Sequence, residues 1–238
     1  MSLVKKFQEK QAKTKDAETN LTKGKVIGSV GSSSGSAKAK ASGLVACRQR
    51  DTMLDKALLD TQTDLRALQS VSSKNELKRK SVIPRYQKTV ADMVAAGEVH
   101  PLIFALAIWF IDIGEVGEAF ELFDYCLEKG VSTPDNFHTD TRTAMAYAVR
   151  DWAEAERKAG RNISPYFGDF LKRMEEQKWD LSDKKIWARY YQIAGEMFMD
   201  AEEMEPAAAY LSKALQMGAQ VKTNLNKCLK ELKKDEVK

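Results

Sequence analysis

The feature that most constrains the fold is the run His100–Ile113, HPLIFALAIWFIDI, which is apolar almost throughout. A membrane-spanning helix needs about 20 such residues, so the run is too short to span and long enough for a helix buried on every side. Gly114–Glu115–Val116–Gly117 follows as a turn. Glu118–Lys129 then places Ala119, Leu122, Phe123, Cys126 and Leu127 on one helical face, and Gly130 sits where a helix C-terminal cap belongs. The pattern predicts a helical hairpin.

A similar unit recurs near the end of the chain. Trp187–Met199 reads as an amphipathic helix, DAEEMEP as a turn with Pro206 in the next first turn, and AAAYLSKALQM runs to Gly218. At an offset of 88 residues Asp112 meets Asp200, Glu115 meets Glu203, Ala119 meets Ala207, Leu127 meets Leu215 and Gly130 meets Gly218. Small residues at the crossing and glycine at the exit are what a tetratricopeptide-like hairpin requires. Between the hairpins, Thr139–Lys158 and Pro165–Gln177 read as helices, the second capped by Ser164 with Pro165 at its first position. The chain closes on a lysine-rich helix over Val221–Lys234. With only 5 prolines and 13 glycines, a turn-rich sandwich or barrel is not expected. The expectation is an all-α body, a helical bundle with tetratricopeptide-like hairpins over residues 50–235.

The N-terminal part differs in kind. Residues 1–50 hold 11 Lys or Arg against 3 Asp or Glu, whereas residues 51–238 hold 27 against 31. A basic arm therefore precedes a mildly acidic body, and an arm of that sign suits phosphate on nucleic acid or on a membrane surface. A short helix is expected around Leu3–Lys15. Residues 28–43, GSVGSSSGSAKAKASG, read as a flexible linker, since 13 of the 16 are Gly, Ser or Ala. They are not a nucleotide loop: Lys25 follows Gly24 but Val26 stands where Ser or Thr is needed. The expected organisation is a disordered basic arm and linker over 1–45, a helical segment over 46–97 suited to oligomerisation and DNA contact, and a helical-hairpin domain over 98–238.

Within the second segment Leu54, Leu58, Thr61, Leu65 and Leu68 form a narrow apolar stripe along one helix. Two readings stay open: a helix docked on its own domain, or a seam between subunits through Leu54, Leu58, Leu65 and Leu68. Next comes KNELKRK, residues 74–80, ahead of Pro84. Lys74, Lys78, Arg79, Lys80, Arg85 and Lys88 are either a solvated face or an extension of a phosphate-contacting surface begun by Lys38, Lys40, Arg48 and Arg50.

Candidate chemistry is sparse. His100 and His138 have no Cys or His at ligand spacing, and no metal site is expected of them. Cys126 falls on a packed helix face, where an inert thiol is expected. The three cysteines, Cys47, Cys126 and Cys228, suit a reducing compartment better than a disulfide framework, and no apolar signal core opens the chain. Pro134–Asp135 with Glu156 and Lys158 matches a magnesium nuclease pattern in letters only, because Glu156 stands in a helical stretch rather than on a strand.

The block Asp112, Gly114, Ala119, Leu122, Tyr125, Leu127, Gly130, Pro134 and Phe137 resembles the small terminase subunits of temperate contractile-tailed phages. Leu65–Leu68, Lys74, Lys78–Arg79, Pro84 and Val90 resemble that family's first helical segment, and Ala208, Leu211, Ala214 and Leu215 its C-terminal part. The resemblance covers residues 45–232. It implies a protein of the host cytoplasm that binds double-stranded viral DNA, forms a homo-oligomer and presents the DNA to the large terminase subunit, an ATPase, for packaging. It implies neither a cofactor nor a membrane partner. Members are also described as the terminase endonuclease subunit, so an enzyme that itself cuts concatemeric DNA with Mg2+ is an alternative. A helical-repeat adaptor that binds only proteins is another.

Overall fold

A computed structural model describes residues 35–135 and 137–235, with side chains from Arg48 to Lys234. Among the described residues every regular element is helical, and the all-α expectation holds. The basic segment 1–34, including the helix expected at Leu3–Lys15, lies outside the described residues. The linker expected over 28–43 is helical from Gly35 onward, where alternating Ala and Lys supply good helix formers. The chain divides into two compact units, one through Pro134 and one from Asp135. The helix ending at Ala96 packs on the buried helix that follows it, so both share one core.

The first unit contains α1 (Gly35–Ala67), α2 (Val71–Leu77), a π turn (Lys78–Val82), α3 (Ile83–Ala96), α4 (Pro101–Asp112) and α5 (Val116–Lys129). The helix runs unbroken from α2 through the π turn into α3. Pro84 lacks an N–H and would crowd a carbonyl in the preceding turn; the wider turn, in which Ile83 N–H bonds to Lys78 O, makes room for it. At the core, Val90, Leu102, Ile103, Phe104, Leu106, Ala107, Ala119 and Phe123 are fully buried. Burying each large side chain contributes roughly 2–3 kcal/mol. Helix α1 docks on this core: Leu58, Thr61 and Leu65 are buried, and Leu54 and Leu68 half-buried. Tyr86 OH donates to Ala57 O at 2.9 Å and lies 2.8 Å from Thr61 Oγ1, fixing α1 against α3. Leu58 and Leu65 of the leucine stripe thus pack within their own unit.

The second unit contains α6 (Thr141–Lys158), α7 (Tyr166–Glu176), α8 (Lys185–Asp200), α9 (Met204–Gln216) and α10 (Lys222–Asp235). Helix α7 starts at Tyr166 with Pro165 as its capping residue; Ser164 does not cap it, and its N–H bonds instead to Asn162 Oδ1 at 2.8 Å. Phe167 stacks on Tyr190 at 5.2 Å, and Tyr190 OH donates to Ala146 O at 2.9 Å. The hairpin α8–α9 repeats the geometry of α4–α5. Glu115 and Glu203 both precede the second helix, and their N–H groups bond to Phe110 O and Phe198 O, each at 2.9 Å. The preceding residue is left-handed in both, Gly114 (φ 84°) in one and Glu202 (φ 62°) in the other. At the crossing of α8 and α9, a β-carbon on Gly195 would lie 2.6 Å from Leu211 Cγ and 3.2 Å from its backbone nitrogen.

The start of α6 is tied to the segment before α8. Asp140 Oδ1 accepts from Thr143 N–H at 3.0 Å, and Oδ2 from Thr143 Oγ1 at 2.6 Å and from Ser182 Oγ. Partial burial opposes ionisation of Asp140, but the bonds from Ser182 and Thr143 outweigh it and hold the carboxyl below its ordinary value.

Two outcomes follow from these contacts. G195A gains about 1 kcal/mol of helix propensity but loses more to overlap with Leu211; urea unfolding should show a net loss of about 1–2 kcal/mol. A depressed carboxyl stabilises fully above its unfolded value near pH 4, and the contribution is lost as pH falls through the folded value. D140A should therefore cost about 1 kcal/mol at pH 7 and much less at pH 3, measured by urea midpoints at both.

Candidate functional site

The basic run in the first unit has a local job. The body of helix α4 is buried, its last turn reaches the surface at Asp112, and the carbonyls of Asp112 and Ile113 have no helical partner. Asn75 Nδ2 donates to Asp112 O at 2.7 Å, Arg79 Nη2 to Ile113 O at 2.9 Å, and Lys78 Nζ to Asp112 Oδ2 at 2.6 Å. Cations there also complement the negative end of the helix dipole. Lys78 is only 8% exposed. It is therefore withdrawn from the surface expected to contact phosphate. Arg50 is committed too: its guanidinium meets Glu98 at 2.8 Å and Asp51 at 3.0 Å, tying α1 to the corner after α3. Tyr125 OH donates to Glu98 O at 2.6 Å at that same corner.

The remaining expected contacts are open to solvent to differing degrees. Arg48, Arg79, Lys80, Arg85 and Lys88 are exposed and Lys74 is half-buried. Lys80 pairs with Glu76 and Lys88 with Asp92 one helical turn away. Such exposed pairs are worth only a few tenths of a kcal/mol and yield readily to a phosphate. Arg85 and Lys88 share one exposed face of α3. Lys38 and Lys40 stand in the first turns of α1, and their side chains lie outside the described residues.

The nuclease pattern is not brought together as a metal site. Glu156 stands within α6, and both its oxygens are held by Arg161, at 2.5 and 2.7 Å, which lowers its carboxyl below the usual range. Asp135 is exposed. Among the described residues no group of three or more His, Cys, Asp or Glu is placed to hold a metal. His100 caps α4, its Nδ1 accepting from Leu102 N–H at 3.1 Å, and His138 is exposed. Burial pushes the Cys126 thiol up to about 12, so it is un-ionised at neutral pH.

Two features were missed in the sequence. Asn75, a polar residue in a charged run, gave no sign of bonding a carbonyl 37 positions away. A cleft of about 930 Å³ in the second unit lies over Phe167, Phe198 and Tyr210, with Arg157 and Arg161 at its rim. Arg157 there donates to Ile193 O at 2.9 Å and Asp200 Oδ2 at 2.8 Å. No helix among the described residues is long and apolar enough to cross a membrane.

With a helical body, a basic N-terminal arm and a partly capped cationic run in place, comparison with known proteins identifies the class. Residues 56–184 match the phage small terminase subunit family, more than half of the chain, and the chain belongs to that family. Membership carries a role in packaging the phage genome at the level of the family. A curated relative is the "Terminase, endonuclease subunit" of Escherichia phage P2, 22% identical over 188 residues, which are 76% of this chain and 75% of that protein. No solved structure matches.

Lys78 and Arg85 should separate by stability. K78A leaves Asp112 without its cation and should cost about 2 kcal/mol, whereas R85A should stay within about 0.5 kcal/mol. Urea unfolding of the two variants beside the parent chain checks both.

Proposed function

We propose that this chain binds double-stranded viral DNA in the host cytoplasm and presents it to the large terminase subunit, the ATPase that drives packaging. The observation that carries this is the charge split: 11 cations against 3 acids in the first 50 residues, ahead of a body with the opposite excess. Arg48, Lys74, Lys80, Arg85 and Lys88 extend the cationic surface into the first unit. Lysine and arginine heads of this kind contact phosphates, which adds affinity without reading bases. Several copies in a homo-oligomer would engage one duplex together and multiply weak contacts into avidity. The chain needs no cofactor for this, and the helical hairpins are left to contact subunits and the ATPase.

The test is a titration of duplex DNA with the full chain, and with the chain lacking residues 1–34, across a range of salt. Counterion release makes log affinity fall by about 0.9 per phosphate neutralised for each decade of salt. The full chain should show a steep slope, and the shortened chain a slope shallower by about 3. A full-chain curve flat with salt would sink the reading. An unchanged curve on deletion would reassign the arm to a protein partner.

The name of the phage P2 relative, an endonuclease subunit, favours a second reading, in which the chain itself cuts DNA. Magnesium-dependent nicking by the purified chain without the large subunit would support it. Loss of that nicking in both D135A and E156A would place it at the letter-matched pattern, and no nicking by the parent chain would dismiss it.

A further inference from the structure

The lysines of α10 are distributed in a way that helix stability does not explain. Helix α10 packs on α9 through a face that buries Leu225 and Cys228. At about 100° per residue, Lys222, Lys233, Lys230, Lys234 and Lys227 fall in that order within an arc of about 140° on the opposite side. All five are exposed. Only Thr223 and Asn226 share the arc, and no acidic residue does. Lys234 pairs with Glu231 at the arc's edge, at 2.7 Å. The other four heads meet no carboxylate within ion-pair distance among the described residues.

Ordinary causes cover part of this. Lys233 and Lys234 stand in the last turn, where a cation suits the helix dipole. Lys222 stands in the first turn, where a cation is unfavourable and no acid accompanies it. Lys227, Lys230 and Lys233 follow at intervals of three, and Lys230 is also four from Lys234, so like charges repel along the whole face. Elsewhere the chain matches such lysines one turn away: Lys80 with Glu76, Lys88 with Asp92, Lys172 with Glu176. An acid at 223 or 226 would relieve α10 in the same way.

We propose that this face of α10 is a second contact for the phosphates of duplex DNA. It rests on the DNA-binding reading above and places the contact in the second unit, outside residues 56–184. A repulsive face of ammonium groups is relieved by a line of anions. The five heads spread over roughly 18 Å of helix, a length of duplex that carries about ten phosphates. Ammonium groups bind phosphate as point charges, and Thr223 and Asn226 can donate to phosphate oxygens between them. The contact adds affinity and orientation, not base recognition.

The experiment uses the full chain carrying K222Q, K227Q, K230Q and K233Q together, and a second variant with Lys→Arg at the same positions. Each is titrated against a labelled duplex of roughly 30 base pairs across a range of KCl, long enough to cover the face several times over. The glutamine variant should melt like the parent chain, bind at least about tenfold more weakly near 0.1 M salt, and show a salt slope shallower by about 3. The arginine variant should retain the parent's binding. An unchanged slope in the glutamine variant, with the parent steep, overturns the α10 contact and leaves the DNA-binding reading standing. A parent chain with no salt-dependent binding overturns both. Polyglutamate competing as well as duplex at equal charge would overturn the assignment to DNA.

Discussion

The first unit is organised around a helix that has almost no surface. Leu102, Ile103, Phe104, Leu106 and Ala107 of α4 are fully buried. Its buried start cannot leave the first N–H groups without partners, each of which would cost about 1–3 kcal/mol, while its last turn reaches the surface at Asp112. Both ends are served by side chains from outside the helix body. His100 Nδ1 accepts from Leu102 N–H, and Asn75, Lys78 and Arg79 reach the last turn from the α2–π segment. The same contacts fix where the helix α2–π–α3 must lie, and Tyr86 on α3 then fixes α1. The order of dependence runs outward from one apolar segment.

The second unit solves its hairpin with related means. In each hairpin the aspartate that ends the first helix is met by a cation from an earlier helix, Lys78 to Asp112 in one case and Arg157 to Asp200 in the other. The cations are not related by the offset of 88 residues that relates the hairpins. What recurs is a physical need, a cation for the carboxylate at the hairpin bend, met from different positions. At the crossing, Gly195 gives Leu211 close approach; the corresponding residues 88 earlier are Ala107 and Phe123, both fully buried.

Helix existence, the hairpins, their glycine exits and the family were legible because they depend on local period and composition. Gly130 and Gly218 are left-handed at the helix exits, as a glycine there requires. What was not legible depends on partners distant in the chain. Lys78 looks like its neighbours Arg79 and Lys80 until Asp112, 34 positions on, takes it out of solvent. Arg50 looks like part of a basic arm until Glu98, 48 positions on, engages it. Gly97 marks the end of a helix and not of a core, since the helices on either side of it pack together. The π turn hid the facing of the basic run, since one residue added to a turn rotates everything beyond it by about 100°.

That turn has a structural consequence. A proline set into an uninterrupted helix ordinarily produces a bend. Here elements of 7, 5 and 14 residues follow one another with no break in the helix. One uninterrupted segment therefore carries both Asn75, which meets the end of α4, and Tyr86, which meets α1.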